Sequence, residues 1–367
     1  MRAVERRRRS RTKRSRTAGV ASLPVGTIVR QRWEIVRYLG EGGCGAIFEV
    51  ADAKRRPTAT SSTSDFSAER PYTPRTVTVE NSDSTSAPRT FAMKLENHRP
   101  EKNVNLRMEY TVLRRLNRHE NTSYQRHCCQ LFGYGRTDSY SFLVMSLVGP
   151  SLSELRRRQP SRRLSLSSSV LATKQALVAL RNLHDSGFVH RDLKPSNLTI
   201  GLPGSARESR IYLIDFGLAR RYVRTAADGH TEVVKNPRTR ANFRGTNCYC
   251  SPTLHGRMDQ CRRDDLWSLV FTFIELHRGL PWADLKDKRA LVEAKLGTSD
   301  EQLCDGLPHE LVDMLAHIRT LDYFQRPDYN FLYGRIRSIM RRMRIAHNAK
   351  FDWLLPTERA TDARLGL

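Results

Sequence analysis

Apolar and polar positions alternate from Trp33 in two short runs, "WEIVRYLG" and "AIFEV", with a glycine-rich turn between them. That spacing predicts a two-strand hairpin, and a further strand is predicted at "TFAMKLE". The period then lengthens. Met108, Val112 and Leu116 recur at four-residue spacing with Leu113 beside them, which predicts a helix near Asn103–Arg118. A strand "SFLVMSL" follows and stops at Gly149-Pro150, a break suited to an interdomain hinge. Beyond it a helix is predicted from about Ser168 to a stop at Gly187. The stretch "LWSLVFTFIEL" is apolar on every face, so its helix should lie buried in a larger lobe. Strands first and helices later is the order of an α+β chain of two lobes. No internal repeat is visible.

Two stretches break the pattern. Residues 2–16, "RAVERRRRSRTKRSR", are nearly solid base, and mutual repulsion makes them an extended tail. A solvated arm, a nuclear-import signal and a patch for an acidic partner all fit such a tail. It is Arg- and Ser-rich like a mitochondrial presequence but has little amphipathic period. Residues 53–89 are dense in Ser, Thr and Pro and poor in apolar residues, and they read as a disordered insertion.

Composition sharpens this picture at three points. A length of 367 residues allows one large domain or two smaller ones. The net charge of +25 favours anionic partners such as phosphates, nucleic acid or acidic protein segments. The seven cysteines form no CxxC pair, which argues against a zinc cluster and suits free thiols in a reducing compartment. No apolar run approaches the ~18 residues of a membrane helix, and the N-terminus lacks the apolar core of a secretory signal.

The candidate chemistry starts at "GEGGCG", where Gly40, Gly42 and Gly45 fit G-x-G-x-x-G. A strand follows the turn instead of a helix. This suits a flap whose backbone N–H groups lie over phosphates. Lys94 stands in "AMK" between apolar neighbours, so it reaches a cleft where a cation could bind nucleotide phosphates. Glu109 in the next helix is placed to fix it, although an ordinary surface position would read the same. The stretch "FVHRDLKPSNLTI" offers Asp192, Lys194 and Asn197 on one loop, and "YLIDFGLAR" delivers Asp215 to a strand end. A positioning carboxylate, a cation, and an amide and a carboxylate able to hold Mg²⁺ are the parts that phosphoryl transfer needs.

Taken together, from about residue 33 to 354, these motifs resemble the protein kinase superfamily. Within it the chain is most similar to the casein kinase 1 group and its tau-tubulin kinase branch. The finer match rests on "VGPSLSELRRRQP", "HRDLKPSN", "YLIDFGLARRY", "FRGT", "RRDDLWSL", "LPWADLKDK", "LDYFQRPDY" and "FDW". No A-P-E triplet closes the activation segment; "SPTLH" stands there instead. The resemblance implies an α+β bilobal kinase fold, with a small lobe at about 33–147 and a mainly helical lobe at about 148–354. A basic tail, 1–32, would precede it and a short tail, 355–367, would follow.

Residue by residue, the resemblance makes Asp192 the catalytic base or hydroxyl-orienting carboxylate and Lys194 a γ-phosphate contact. Asn197 and Asp215 would hold Mg²⁺. Lys94 and Glu109 would form the small-lobe ion pair. Gly40, Gly42, Gly45, Ile47, Ala92 and Lys94 would surround ATP. Met145 matches the gatekeeper, Ser146 to Val148 would offer backbone groups to adenine, and Asp265 would brace the catalytic loop. Lys194 marks a Ser/Thr kinase.

There are departures. The insertion between the second and third strands is atypical. Cys248 in "GTNCYC" stands where relatives that read a priming phosphate carry Arg, and Cys44 replaces a common aromatic residue at the flap tip. The expected function is an ATP- and Mg²⁺-dependent, non-specific serine/threonine protein kinase acting on protein substrates, acidic ones by the charge of its activation segment. It would be a cytoplasmic or nuclear monomer without a membrane partner. The alternatives are a pseudokinase or a scaffold that binds acidic partners, tubulin-like or nucleic acid, through the basic tail.

Overall fold

The computed structural model describes residues 23–42, 45–55, 90–98, 105–256 and 258–355. Most of the expected basic tail, Cys44, nearly all of the insertion and the C-terminal tail beyond Leu355 lie outside the described residues. The chain divides into two compact units, Met1–Leu95 and Glu96–Leu367.

In the first unit the alternation at Trp33 becomes an antiparallel sheet. Strand β1 (Ile28–Val29) pairs with β2 (Trp33–Gly42), β2 with β3 (Gly45–Asp52), and β3 with β4 (Thr90–Asn97). One face buries Trp33 edge-on to Phe91, with ring centroids 5.3 Å apart. Phe48, Val50, Met93 and Leu95 are also buried. Arg32 pairs with Asp52 at 3.0 Å and Arg37 with Glu49 at 2.6 Å, which ties β2 to β3 across the sheet.

The second unit holds helix α1 (Asn105–Asn117); the first two residues of the expected helix lie outside the described residues. Leu106, Glu109, Val112, Leu113 and Leu116 are its buried residues; Met108 is only partly buried. The hairpin of β5 (Leu131–Arg136) and β6 (Tyr140–Ser146) follows. Helix α2 (Leu152–Arg158) is capped by Ser151, whose hydroxyl accepts from Glu154 N. Helix α3 (Leu166–Asp185) is capped by Ser165. Short strands then frame the loops of interest: β7 (Phe188–Val189), β8 (Leu198–Ile200), β9 (Ile211–Leu213), β10 (Arg220–Arg221), β11 (Val223–Thr225) and β12 (Glu232–Val234). Strand β7 pairs with β10, β8 with β9, and β11 with β12.

Helix α4 (Arg262–His277) is the helix that the all-apolar stretch predicted. Leu266, Trp267, Leu269, Val270, Phe271, Phe273, Ile274 and Leu276 are all buried in it. Helices α5 (Lys288–Gly297), α6 (Asp300–Cys304), α7 (Glu310–Thr320) and α8 (Tyr329–Arg342) complete the unit. Helix α3 packs on α4 and α8, and α7 packs on both α4 and α8. The Gly149-Pro150 break sits inside this unit. Gly149 N donates to Ile200 O at 2.9 Å, and a Cβ on Gly149 would come within 2.5 Å of Gly201 O.

Candidate active site

The catalytic loop is built around a buried carboxylate from the next long helix. Asp265, in the first turn of α4, is 1% exposed. Its Oδ2 accepts from His190 N at 2.7 Å and lies 2.9 Å from His184 Nε2; its Oδ1 accepts from Arg191 N at 2.8 Å. Burial alone would raise this carboxyl, but the His184 hydrogen bond, the nearby imidazoles and the His190 amide hold it below its ordinary value. His184 reaches on through Nδ1 to the Tyr329 hydroxyl at 2.6 Å. The loop therefore hangs from α3, α4 and α8 at once.

The clamp is needed because the local backbone is strained. Arg191 sits at φ 69°, in the left-handed region that L side chains avoid. Gly245, at φ 117°, passes so close that a Cβ there would overlap the Arg191 carbonyl oxygen. Arg191 Nε donates to Leu218 O at 2.7 Å, and His190 Nε2 lies 3.1 Å from Ile214 O. The loop is thus tied to the stretch carrying Asp215. Asp215 is itself left-handed, at φ 62°, and the next residue, Phe216, is buried edge-on to His190 with centroids 5.5 Å apart.

Asp192 and Lys194 meet directly. Lys194 Nζ donates to Asp192 Oδ2 at 2.7 Å and to Thr246 Oγ1 at 2.9 Å, and Thr246 Oγ1 donates to Asp192 Oδ1 at 2.7 Å. Each carboxylate oxygen is therefore oriented by a donor, and Oδ2 also lies 3.5 Å from Asn197 Nδ2. Asn197 Nδ2 donates to the Asp192 carbonyl at 2.9 Å, which commits the amide nitrogen and leaves the amide oxygen as the atom for an electropositive ligand. One amide oxygen and one carboxylate suit a hard cation that keeps water and phosphate oxygens as its other ligands. Among the described residues no cluster of three or more His, Cys, Asp or Glu could hold a metal alone.

The remaining expected residues are distributed over both units. In the first, the register sets Ile47 opposite both Gly40 and Lys94, and Ala92 lies two residues before Lys94 on the same face. Gly42 pairs with Gly45 at the end of the hairpin. Lys94 is 4% exposed between fully buried Met93 and Leu95. In the second unit Glu109 is 1% exposed, which removes the reading of an ordinary surface position. Met145 is half-buried against the core, as is Val148. Ser146 N donates to Gln130 O at 2.9 Å and its hydroxyl accepts from Gln130 N at 3.0 Å.

Pattern reading assigned no role to Thr246, His184, Tyr329 or Asp259. Thr246 lay in a quoted "FRGT" but carried no role there. Asp259 changes the account of the activation segment. Its side chain is fully buried and pairs with both Arg220 and Arg238; Arg238 Nη2 is 2.8 Å away and Arg238 N donates at 3.0 Å. Burial alone would raise the Asp259 carboxyl, but these arginine hydrogen bonds bring it down to about 2. Burial, with the adjacent Arg238 and Arg220 charges, pushes Arg191 down to about 10. Arg221 pairs with Glu232 at 2.8 Å. The exposed cations of the segment outside the ion pairs of the described residues are then Arg224, Arg240 and Arg244.

Comparison with known proteins identifies the family. The protein kinase domain family matches residues 75–331. A Caenorhabditis elegans protein with a serine/threonine-protein kinase name is 30% identical, over 91% of this chain and 85% of that protein. Casein kinase I homolog 3 of Schizosaccharomyces pombe is 35% identical over 61% of this chain, which spans only 52% of its length. A C. elegans protein named inactive tau-tubulin kinase is 32% identical over 67% of this chain and 86% of its own.

Proposed function

Because the chain belongs to the protein kinase family, with casein kinase 1 and tau-tubulin kinase relatives, we propose that it is an active serine/threonine kinase. It transfers the γ-phosphoryl group of ATP to Ser or Thr hydroxyls of protein substrates. The observation that carries this reading is the Asp192–Lys194–Thr246 triangle beside Asn197, hung from Asp265. Asp192 would orient the acceptor hydroxyl and take its proton, and Lys194 would neutralise charge on the transferring group. ATP implies a divalent cation, and Mg²⁺ suits the pairing of Asn197 with Asp215. Bound there, the ion would neutralise phosphate charge and hold the phosphates in line.

Substrates are proposed to be broadly acidic. Arg224, Arg240 and Arg244 leave the segment positive even after Asp259 and Glu232 take their share. Cys248 supplies no cation to read one fixed phosphate; burial pushes its thiol up to about 11. A priming phosphate is therefore not required. The test is Mg-ATP turnover on matched acidic, neutral, basic and pre-phosphorylated peptides, with Asp215→Asn as the control. Turnover that is abolished in the variant and ranks acidic over basic supports the reading; equal turnover by a folded variant defeats it.

A second reading is a scaffold without catalysis, favoured by the relative that carries the word inactive in its name. Under it, wild type and Asp215→Asn are equally inert, and binding of an acidic partner is lost on removing residues 1–22.

A further inference from the structure

A buried lysine outside the catalytic loop holds the loop on which a protein substrate would rest. Lys295 comes from α5 and is 4% exposed. Its Nζ donates to Asn247 O at 2.5 Å and to Cys250 O at 2.8 Å, and lies 3.6 Å from Cys250 Sγ. It also stands over the rings of Phe271 and Trp282, 5.3 and 5.5 Å from their centroids. None of the ion pairs among the described residues gives it a carboxylate. A buried ammonium without an acid is costly unless dipoles and aromatic faces replace its water. Burial accordingly pushes Lys295 below its ordinary value.

Its neighbours complete the pattern. Trp282 Nε1 donates to Cys248 O at 2.9 Å, and Ser268 Oγ donates to Tyr249 O at 2.8 Å. Four consecutive carbonyls, from Asn247 to Cys250, are thus each taken by a side-chain donor of the helical unit. The loop has little choice of shape left. Just before it stands Thr246, whose hydroxyl joins Asp192 to Lys194; just after it, Ser251 Oγ donates to Asp264 Oδ1 at 2.5 Å. Residues next to Thr246 flank whatever hydroxyl Asp192 faces, so their backbone path sets where the neighbouring substrate residues lie.

We propose that Lys295 is a positioning residue for protein-substrate binding, fixing residues 247–250 through the two carbonyls it bridges. This rests on the kinase reading above. Its contacts are with Asn247, Cys250 and the rings of Phe271 and Trp282, so its loss should act on the peptide and leave ATP alone.

The experiment compares wild type, Lys295→Met and the milder Ser268→Ala in the full chain. Peptide KM, ATP KM and kcat are measured together, with hydrogen–deuterium exchange of the amides from Thr246 to Ser251. Lys295→Met is expected to raise peptide KM about tenfold or more, because two buried carbonyls lose their donor. ATP KM stays unchanged and amide exchange accelerates. Ser268→Ala, which uncovers one carbonyl, shifts peptide KM in the same direction by a smaller factor. Unchanged exchange and unchanged peptide KM in both variants overturn the inference while leaving the kinase reading intact. A loss in which ATP KM moves as much as peptide KM also overturns it, since that is general damage. A wild type inert on every peptide overturns both.

Discussion

Thr246 donates its hydroxyl to one oxygen of Asp192 and accepts from the ammonium that holds the other. Thr246→Ala should therefore let the carboxylate turn. We expect kcat to fall about tenfold to a hundredfold with ATP KM unchanged, as measured by steady-state kinetics. Asp265→Asn keeps the shape but gives an amide nitrogen to a site that needs only acceptors. It should cost about 2–3 kcal/mol in urea denaturation and lower kcat further. Asp259 supplies the pH test. Its folded value of about 2 lies below its ordinary 3.8, so its stabilisation is complete above the ordinary value and is lost as pH falls toward 2. The stability gap between wild type and Asp259→Asn should close over that acid window. Legibility in the sequence divides by chain distance. Asp192, Lys194 and Asn197 lie within one loop, and each carries a side chain whose chemistry suggests itself. Thr246, His184, Tyr329 and Asp259 act through partners tens of residues away, which no local period reveals.

Among the secondary-structure elements, period and composition were enough for most placements. The four-residue spacing of α1 and the all-apolar α4 became a half-buried and a fully buried helix. Short strands such as β10, β11 and β12 were not anticipated, because two or three residues hold no measurable alternation. Gly149 marked a break, and its missing Cβ permits close packing on Gly201. Gly245 tests the same idea at the site. Gly245→Ala places a Cβ on the Arg191 carbonyl and in an unfavourable φ. It should cost about 2 kcal/mol or more in thermal or urea unfolding and lower turnover about a hundredfold, because the displaced carbonyl precedes Asp192.

On the scale of the whole chain, charge is the dominant property. With a net +25, encounter with acidic peptides should be fast in dilute buffer and weaken as salt screens exposed arginines. The ratio of kcat/KM for acidic over neutral peptides should drop severalfold between about 0.05 and 0.5 M NaCl; a flat ratio would remove exposed charge as the source of preference. The order of strands and helices was readable because each unit has its own period. The division at Leu95 was not, because β4 runs through it without a break in apolar texture. The pairing of Asp259 with Arg220 and Arg238 carries a last consequence, one of timing. If the chain is the active kinase proposed above, a segment already held by a carboxylate encoded in the gene should need no added phosphate to keep its shape. Newly folded protein should be as fast as aged protein, and phosphatase treatment should leave its rate unchanged. Control over such an activity would then lie in when the chain is made and what it meets.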